Sequence, residues 1–553
     1  MFDYLIIGQK IIIGGLLRLP KLGNAITHGT LLRRIGIEAA LNKLHARFYN
    51  IIAPLSAKAF VSKEPLPFEN RFDGKLKELT AHGGGGWAED TFDCAWLQIT
   101  GSIPENADKD GKEVVFLVDT AGEGLVYDKN GRAVQGVTCW ASQYDYRLGA
   151  PLKKVVINDN LSDENGNVDF FIDCGANDLF GKYHYNSVLQ ELSVATINKE
   201  IRALYYDVEC LISVYDFNKK DAYTAEVFTV VKKVCDKVKK NITDNQAAEL
   251  RALIAPYLAN KNDGEHTFTY SAIGHSHLDL GWLWPIRETK RKGARTFTNQ
   301  LLNIERYPHY KFGASQAQLY KWMKDLYPDV YARVKEAHAA GKWEIQGAAW
   351  VEPDSNLIGG ESIIRQLYYG KRFFQDEFGE EMKILWLPDS FGYSGCIPQI
   401  MKLADVPYFL TQKMSWNTVN QFPLHTFRWA GIDGSVVLAH MLPENTYNSP
   451  VFGGTLKFGE KNYKERKISD ISMSLFGIGD GGGGPGFEHI ERAERFKDLK
   501  GMPKYDIEFA LPFFERLESL DTPKTPYPSY KGELYLERHQ GTATTHSKVK
   551  KYN

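Results

Sequence analysis

The sequence lacks most of the features that would assign it at a glance. Its six cysteines (Cys94, Cys139, Cys174, Cys210, Cys235 and Cys396) are scattered and form no Cys-x-x-Cys pair. That spacing supports neither a disulfide framework nor a cysteine metal site, and it fits buried thiols in a reducing compartment. A net charge of −1 over 553 residues gives no electrostatic basis for binding nucleic acid or an anionic membrane. The most apolar terminal stretch, Leu5 to Leu17, is broken by Gln9 and Lys10, and no small-residue cleavage site follows it. It reads as neither a membrane span nor a signal peptide, so a cytoplasmic location is expected. There is no Gly-Lys-Ser/Thr, which excludes a Walker loop. There is also no Gly-x-Ser-x-Gly elbow, so the run His82-Gly83-Gly84-Gly85-Gly86 reads as a flexible entry to a β domain and not as an esterase oxyanion loop. Internal repeats are absent too.

What is present has the composition of a soluble globular protein, with 43% hydrophobic and 24% charged residues, and a length that predicts two to four domains. Aromatic residues, at 13%, are on the high side, as they are where sugars are bound. Leu31 to Ile52 has helical spacing, and Pro54, Pro65 and Pro67 are expected to end that helix. From Gly83 to about Asp216, short β-rich runs are separated by turns such as Lys129-Asn130-Gly131 and Glu164-Asn165-Gly166, the texture of a β-sandwich. Ser187 to Ala259 turns helical, with Leu189, Leu192, Ile197, Ile201 and Leu204 on one repeating face. Beyond residue 266, apolar strands alternate with helices, including one expected from Ala317 to Ala340. This alternation predicts a parallel sheet with its chemistry at the carboxyl ends of the strands.

Four segments of that last region carry reactive side chains. An apolar run from Phe268 to Ile273 feeds into Gly274-His275-Ser276-His277-Leu278-Asp279-Leu280-Gly281-Trp282. At an extended strand end, His277 and Asp279 point the same way and can share one borderline divalent cation; the plainer alternative is a turn whose polar groups satisfy the backbone. Trp-Leu-Pro-Asp-Ser-Phe-Gly-Tyr at 386–393 again delivers a carboxylate from a buried strand. Asp389 reads as a metal ligand, a nucleophile, both, or a helix cap. Gly477-Ile478-Gly479-Asp480-Gly481-Gly482 formally contains Gly-x-Gly-x-x-Gly, but the preceding strand is weak and Pro485 stands where a phosphate-binding helix should begin. Asp480 is better read as a mobile acid in a flexible loop near a bulky substrate. In Glu533 to Thr545, His539 ends a short apolar strand, where a histidine is more often structural than ligating.

Taken together and in this order, the four segments resemble the signatures of the retaining α-mannosidases of glycoside hydrolase family 38, the cytosolic branch above all. Gly-Trp-Ala at 86–88 and Glu123-Gly124-Leu125-Val126 are similar to the family's N-terminal domain. The resemblance implies one zinc, with cobalt as the alternative ion, held by His277, Asp279, Asp389 and His539. It makes Asp389 also the nucleophile, Trp282 and Phe391 walls of the mannose pocket, and Asp480 the acid/base. The substrate implied is a mannose-containing oligosaccharide, with no nucleic-acid or membrane partner and with homo-oligomerisation left open. The fold class expected is α/β: an N-terminal extension (1–82), a β-sandwich domain (83–216), a helical linker (217–264), a seven-stranded-type β/α-barrel catalytic domain (265–540) and the start of a further helical domain (541–553). Family members continue for several hundred residues past this point, so a catalytically inactive carbohydrate-binding protein is an alternative reading, and a metal-dependent sugar deacetylase is another.

Overall fold

The computed structural model describes residues 28–81, 83, 85–107, 111–139, 154–264, 267–546 and 548–549. The apolar stretch from Leu5 to Leu17 lies outside the described residues, as do His82 and Gly84 of the glycine run.

Helix α1 (His28–His45) ends earlier than its apolar spacing predicts, and the chain enters the long strand β1 (Tyr49–Ser62) at once. Leu55, Ala57 and Ala59 are buried between exposed neighbours, a two-residue period that overrides the helical reading past residue 48. Pro54 does not terminate the segment. It is exposed in β1 just past a register shift between Ile51 and Ala53, where its missing N–H is tolerated. Strands β2 (Lys75–Leu79), β3 (Cys94–Ser102), β4 (Val114–Asp119), β5 (Glu123–Tyr127), β6 (Ala133–Thr138), β7 (Val155–Ile157), β8 (Asn167–Gly175) and β9 (Glu191–Ile197) complete a nine-stranded antiparallel sheet in the order β6-β5-β8-β3-β1-β9-β4-β7, with β2 also on β1. Strand β1 bonds β9 through its first half and β3 through its second. The sheet therefore folds over on itself: Phe116 of β4 stacks on Phe170 of β8 at 5.4 Å, inside a core lined from both halves. Leu192 and Ile197, expected on a helix, alternate along β9 instead.

Helices α2 (Lys199–Phe217), α3 (Ala222–Lys237) and α4 (Asp244–Ala259) follow; α2 and α3 pack on α1, and α4 packs on α2 and α3. Asp221 and Thr243 cap α3 and α4 through reciprocal hydrogen bonds with Thr224 and Gln246.

The second half alternates as expected: β10 (Thr269–His275), α5 (Ile286–Arg306), β11 (Phe312–Ala314), α6 (Ala317–Leu326), α7 (Pro328–Ala339), β12 (Trp343–Ile345), α8 (Gly360–Phe378), β13 (Ile384–Trp386), α9 (Ile397–Leu403), β14 (Tyr408–Thr411), β15 (Thr426–Ala430), β16 (Val436–Met441), α10 (Gly453–Asn462), β17 (Ile471–Phe476), α11 (Phe487–Phe496), β18 (Lys504–Ile507), α12 (Ala510–Leu520) and β19 (Ser529–Lys531). The single helix expected from 317 to 340 is two, because Pro328 disfavours a helical Tyr327. The strands form two five-stranded sheets, β12-β11-β10-β17 with β18 on β10, and β13-β14-β16-β15-β19. Every pairing in them is parallel except β15 with β16. The sheets meet at two seams: Ala348 N–H donates to Ile384 at 2.9 Å, and Ser449 N–H donates to Leu475 at 2.8 Å. Ile273, Trp386, Leu410, Leu438 and Leu475, drawn from both sheets, share one core with Phe513 and Phe514 of α12.

Candidate active site

The polar residues of interest leave the carboxyl ends of parallel strands. The two strongest sequence segments follow β10 and β13, and the glycine loop follows β17. Ser276 to Leu278 is buried; Ser276 Oγ donates to Ile478 O at 3.0 Å, and the Nε2 of the preceding His275 lies 2.8 Å from Tyr447 O. A short antiparallel bridge, Leu278 to Gly481, and the Asp279 N–H donating to Asp480 O at 2.9 Å bring the β10 and β17 loops together.

The result is a compact group of four. His277, Asp279, Asp389 and Asp480 each offer one ligand atom, and these atoms lie within 4.8 Å of one another. His277 Nε2 is buried and makes no hydrogen bond; Asp279 Oδ1 and Asp389 Oδ2 stand 3.5 and 3.6 Å from it. Donors about 2.1 Å from a tetrahedral ion stand roughly 3.4 Å apart, so this spacing suits a cation between them. A nitrogen donor with carboxylate oxygens is a set for a borderline divalent metal.

The electrostatics separate the two proposed catalytic carboxyls. Burial alone would raise the Asp389 pKa, but His277 and Lys413 outweigh it and bring it down to about 2. Lys413 Nζ donates to Asp389 Oδ1 and lies 3.9 Å from the Trp416 ring centre and 4.7 Å from that of Phe391. Asp480 goes the other way: burial raises its pKa against the opposing pull of His277 and of the Tyr447 hydroxyl, which donates to Oδ1 at 2.5 Å. Asp480 itself sits at φ 56°, in the left-handed region.

The glycines around Asp480 do not serve mobility. A Cβ on Gly481 would lie 1.7 Å from Leu179 O, and Gly482, Gly483 and Gly484 have φ of 83°, 97° and 61°. The loop is tied to α5 by Thr296, whose Oγ accepts from Gly483 N–H at 2.9 Å, and by Gln300, which donates to Gly483 O at 2.9 Å. The expectation of a loose acid-bearing loop is corrected here: close packing against 178–181 and α5 demands residues without side chains. The preceding strand, read as weak, is β17 and is buried along most of its length.

The remaining expected residues divide. His539 lines the same cleft, of about 680 Å³, as His277, Asp279 and Asp389. It stands outside the four-residue group, at φ 63° with its ring 4.8 Å from Phe391. Asp480, and not His539, is the fourth member of that group. Phe391 lines the cleft and is 38% exposed, whereas Trp282 is 55% exposed, leans on Trp284 at 5.8 Å and is not among the lining residues. Sequence reasoning missed Glu352, Lys413 and Tyr447. Each follows the carboxyl end of a parallel strand (β12, β14 and β16), and that rule, applied to every strand, would have found them.

Comparison with known proteins gives the family. Residues 267–533 match the description "Glycosyl hydrolases family 38 N-terminal domain", and residues 53–200 match "Alpha-mannosidase, jelly roll domain". Residues 267–533 are a glycoside hydrolase family 38 domain. It is 36% identical to alpha-mannosidase G of Dictyostelium discoideum over 83% of its own length and 42% of that protein's. It is 32% identical to alpha-mannosidase 2C1 of Homo sapiens over 92% and 48%. It thus spans about half the length of the curated relatives it matches. A solved structure, an alpha-mannosidase from Enterococcus faecalis V583, aligns with 21% identity and a TM-score of 0.41 over 48% of this chain and 31% of that one.

Proposed function

We propose that this chain carries the catalytic site of a metal-dependent retaining α-mannosidase acting on terminal mannose of oligosaccharides. The observation that carries this reading is the convergence of His277, Asp279 and Asp389 around a buried, unbonded His277 Nε2. In this reading the two parallel sheets are arcs of one β/α barrel joined at their two seams, which places all of these groups at one mouth. His277, Asp279 and Asp389 would hold the cation, with His539 of the same cleft the proposed fourth ligand; zinc or cobalt suits the set. A bound cation would supply Lewis-acid binding and orientation of the sugar hydroxyls beside the anomeric carbon.

The residues themselves perform the displacement. Asp389, kept ionised beside Lys413, attacks the anomeric carbon and forms a glycosyl ester as the aglycone oxygen leaves. Asp480, hydrogen-bonded by Tyr447, gives that oxygen its proton and then takes one from the incoming water. Carboxyl oxygens of Asp389 and Asp480 lie within 4.8 Å, the close spacing used by retaining glycosidases, roughly 5 Å, and less than the inverting separation. Phe391 presents an apolar face beside the charged group, suited to a sugar ring.

The test is hydrolysis of a chromogenic α-mannoside. Activity should vanish with chelator and return with zinc or cobalt, and a 2-deoxy-2-fluoro mannosyl donor should label Asp389. Turnover that survives exhaustive chelation, or label on another residue, overturns the assignment. Acetate release without glycosidic cleavage would select the deacetylase alternative. Sugar-dependent thermal stabilisation without turnover would select a binding protein.

A further inference from the structure

Behind His277 stands a group that neither the sequence motifs nor the catalytic scheme uses. Glu352 follows β12 in Trp350-Val351-Glu352, and its side chain is only 7% exposed. Its Oε1 lies 3.1 Å from His277 Nδ1 and accepts from Ser315 Oγ at 3.3 Å, while Oε2 has no hydrogen-bond partner. Gln316 frames the pair: its Oε1 accepts the Glu352 N–H at 3.1 Å, and its Nε2 donates to Leu278 O at 2.8 Å. One side chain thereby ties the backbone of Glu352 to that of the His277 segment. Gln316 adopts φ 70° to do so, a left-handed conformation unusual for a residue with a side chain.

We infer that Glu352 is the positioning residue of the metal centre: it holds His277 in the Nδ1–H tautomer and so turns the Nε2 lone pair onto Asp279 and Asp389. A carboxylate oxygen only accepts, so the 3.1 Å contact requires the imidazole to carry its hydrogen on Nδ1. With Nδ1 committed to Glu352, Nε2, the buried nitrogen without a hydrogen bond, is the one left to give its lone pair to a cation. Carboxylates in this position also raise the basicity of the ligating nitrogen. With Glu352 gone, Ser276, Gln316 and the buried backbone still hold the loop, but no acceptor chooses the tautomer. The inference rests on the proposed metal site and deepens it.

The experiment is titration of the metal-free chain with Co²⁺, read by calorimetry and by the visible ligand-field spectrum, for wild type, Glu352→Gln and Glu352→Ala. Glu352→Ala should weaken Co²⁺ binding about 10–100-fold and alter the spectrum, with the thermal midpoint of the metal-free protein little changed. Glu352→Gln, whose amide oxygen still accepts from Nδ1–H, should recover part of the loss. Wild-type affinity in Glu352→Ala, or a Glu352→Gln as impaired as Glu352→Ala, overturns the positioning role. If Glu352→Ala does not fold, Glu352→Gln alone decides: a weakened but intact site supports the inference, and wild-type affinity and spectrum overturn it. Failure of wild type to bind Co²⁺ would instead remove the metal reading on which the inference stands.

Discussion

The carboxylate of Asp389 is drawn in opposite directions by its surroundings: burial favours its protonated form, and His277 and Lys413 hold it ionised. Asp389→Asn keeps the shape and removes the proposed nucleophile, so turnover of an activated α-mannoside should fall by at least about a thousandfold, measured with metal saturating. Away from the cleft, Glu444 shows the reverse balance. It is buried and accepts from Ser449 Oγ at 2.8 Å and from Ser474 Oγ, yet burial raises its pKa to about 7 from an ordinary 4.5. The folded state therefore keeps a proton that the unfolded chain gives up first. The stability linked to this proton is complete below about pH 4.5 and disappears as pH rises through about 7, a change of about 3 kcal/mol. Urea unfolding of wild type and Glu444→Gln across that range should show the difference, the variant lacking this part of the pH dependence.

Among the elements, the loop from Gly477 to Gly486 has the most consequence. It carries Asp480 and is wedged between the 178–181 turn and α5. Gly481→Ala cannot be accommodated without moving Leu179 O, since its Cβ would arrive at 1.7 Å. A loss of about 1–3 kcal/mol is expected from such overpacking, visible as a lower thermal midpoint. Mannoside turnover should also fall, because Asp480 moves with the loop. Element boundaries were legible where a period was strong: α6 begins at Ala317 as expected, and α7 ends at Ala339, one residue before the expected Ala340. They were not where two periods compete. Ile51 and Ile52 continue a helical face and also begin a strand, and only pairing of β1 with β9 decides between them. The short strand β15 was not read because a five-residue run has too few positions for its pattern to stand out.

At the scale of the whole molecule, the folded-over β domain and the α/β half are locked by buried charge. Lys292 of α5 reaches Glu123 of β5 and donates to Leu179 O at 3.0 Å. Arg291 pairs with Asp173 of β8 in a two-pronged contact at 2.5 and 3.0 Å, and Arg295 reaches Glu123 at 3.3 Å. Asn177 donates to Glu123 at 3.0 Å within the same group. Lys292→Met leaves Glu123 buried with its main partner gone and should cost about 3–5 kcal/mol in chemical unfolding. A Glu123→Leu, Lys292→Met double variant should recover much of that loss, because no uncompensated charge remains. Among the described residues no helix is long and apolar enough to cross a membrane.

The amino-acid order by itself determined that strands alternate with helices after residue 266, and that His277, Asp279, Asp389 and Asp480 stand at chemically rich ends of apolar runs. Both follow from local periodicity and from residue type, which neighbours in sequence express without help. Only the tertiary structure decided that Asp480 joins the cluster while His539 lines the same cleft outside it, that the glycines are spacers under Leu179, and that Glu352 backs His277. Those are relations between segments tens to hundreds of residues apart, and the register of one loop against another is set by packing that no local pattern records.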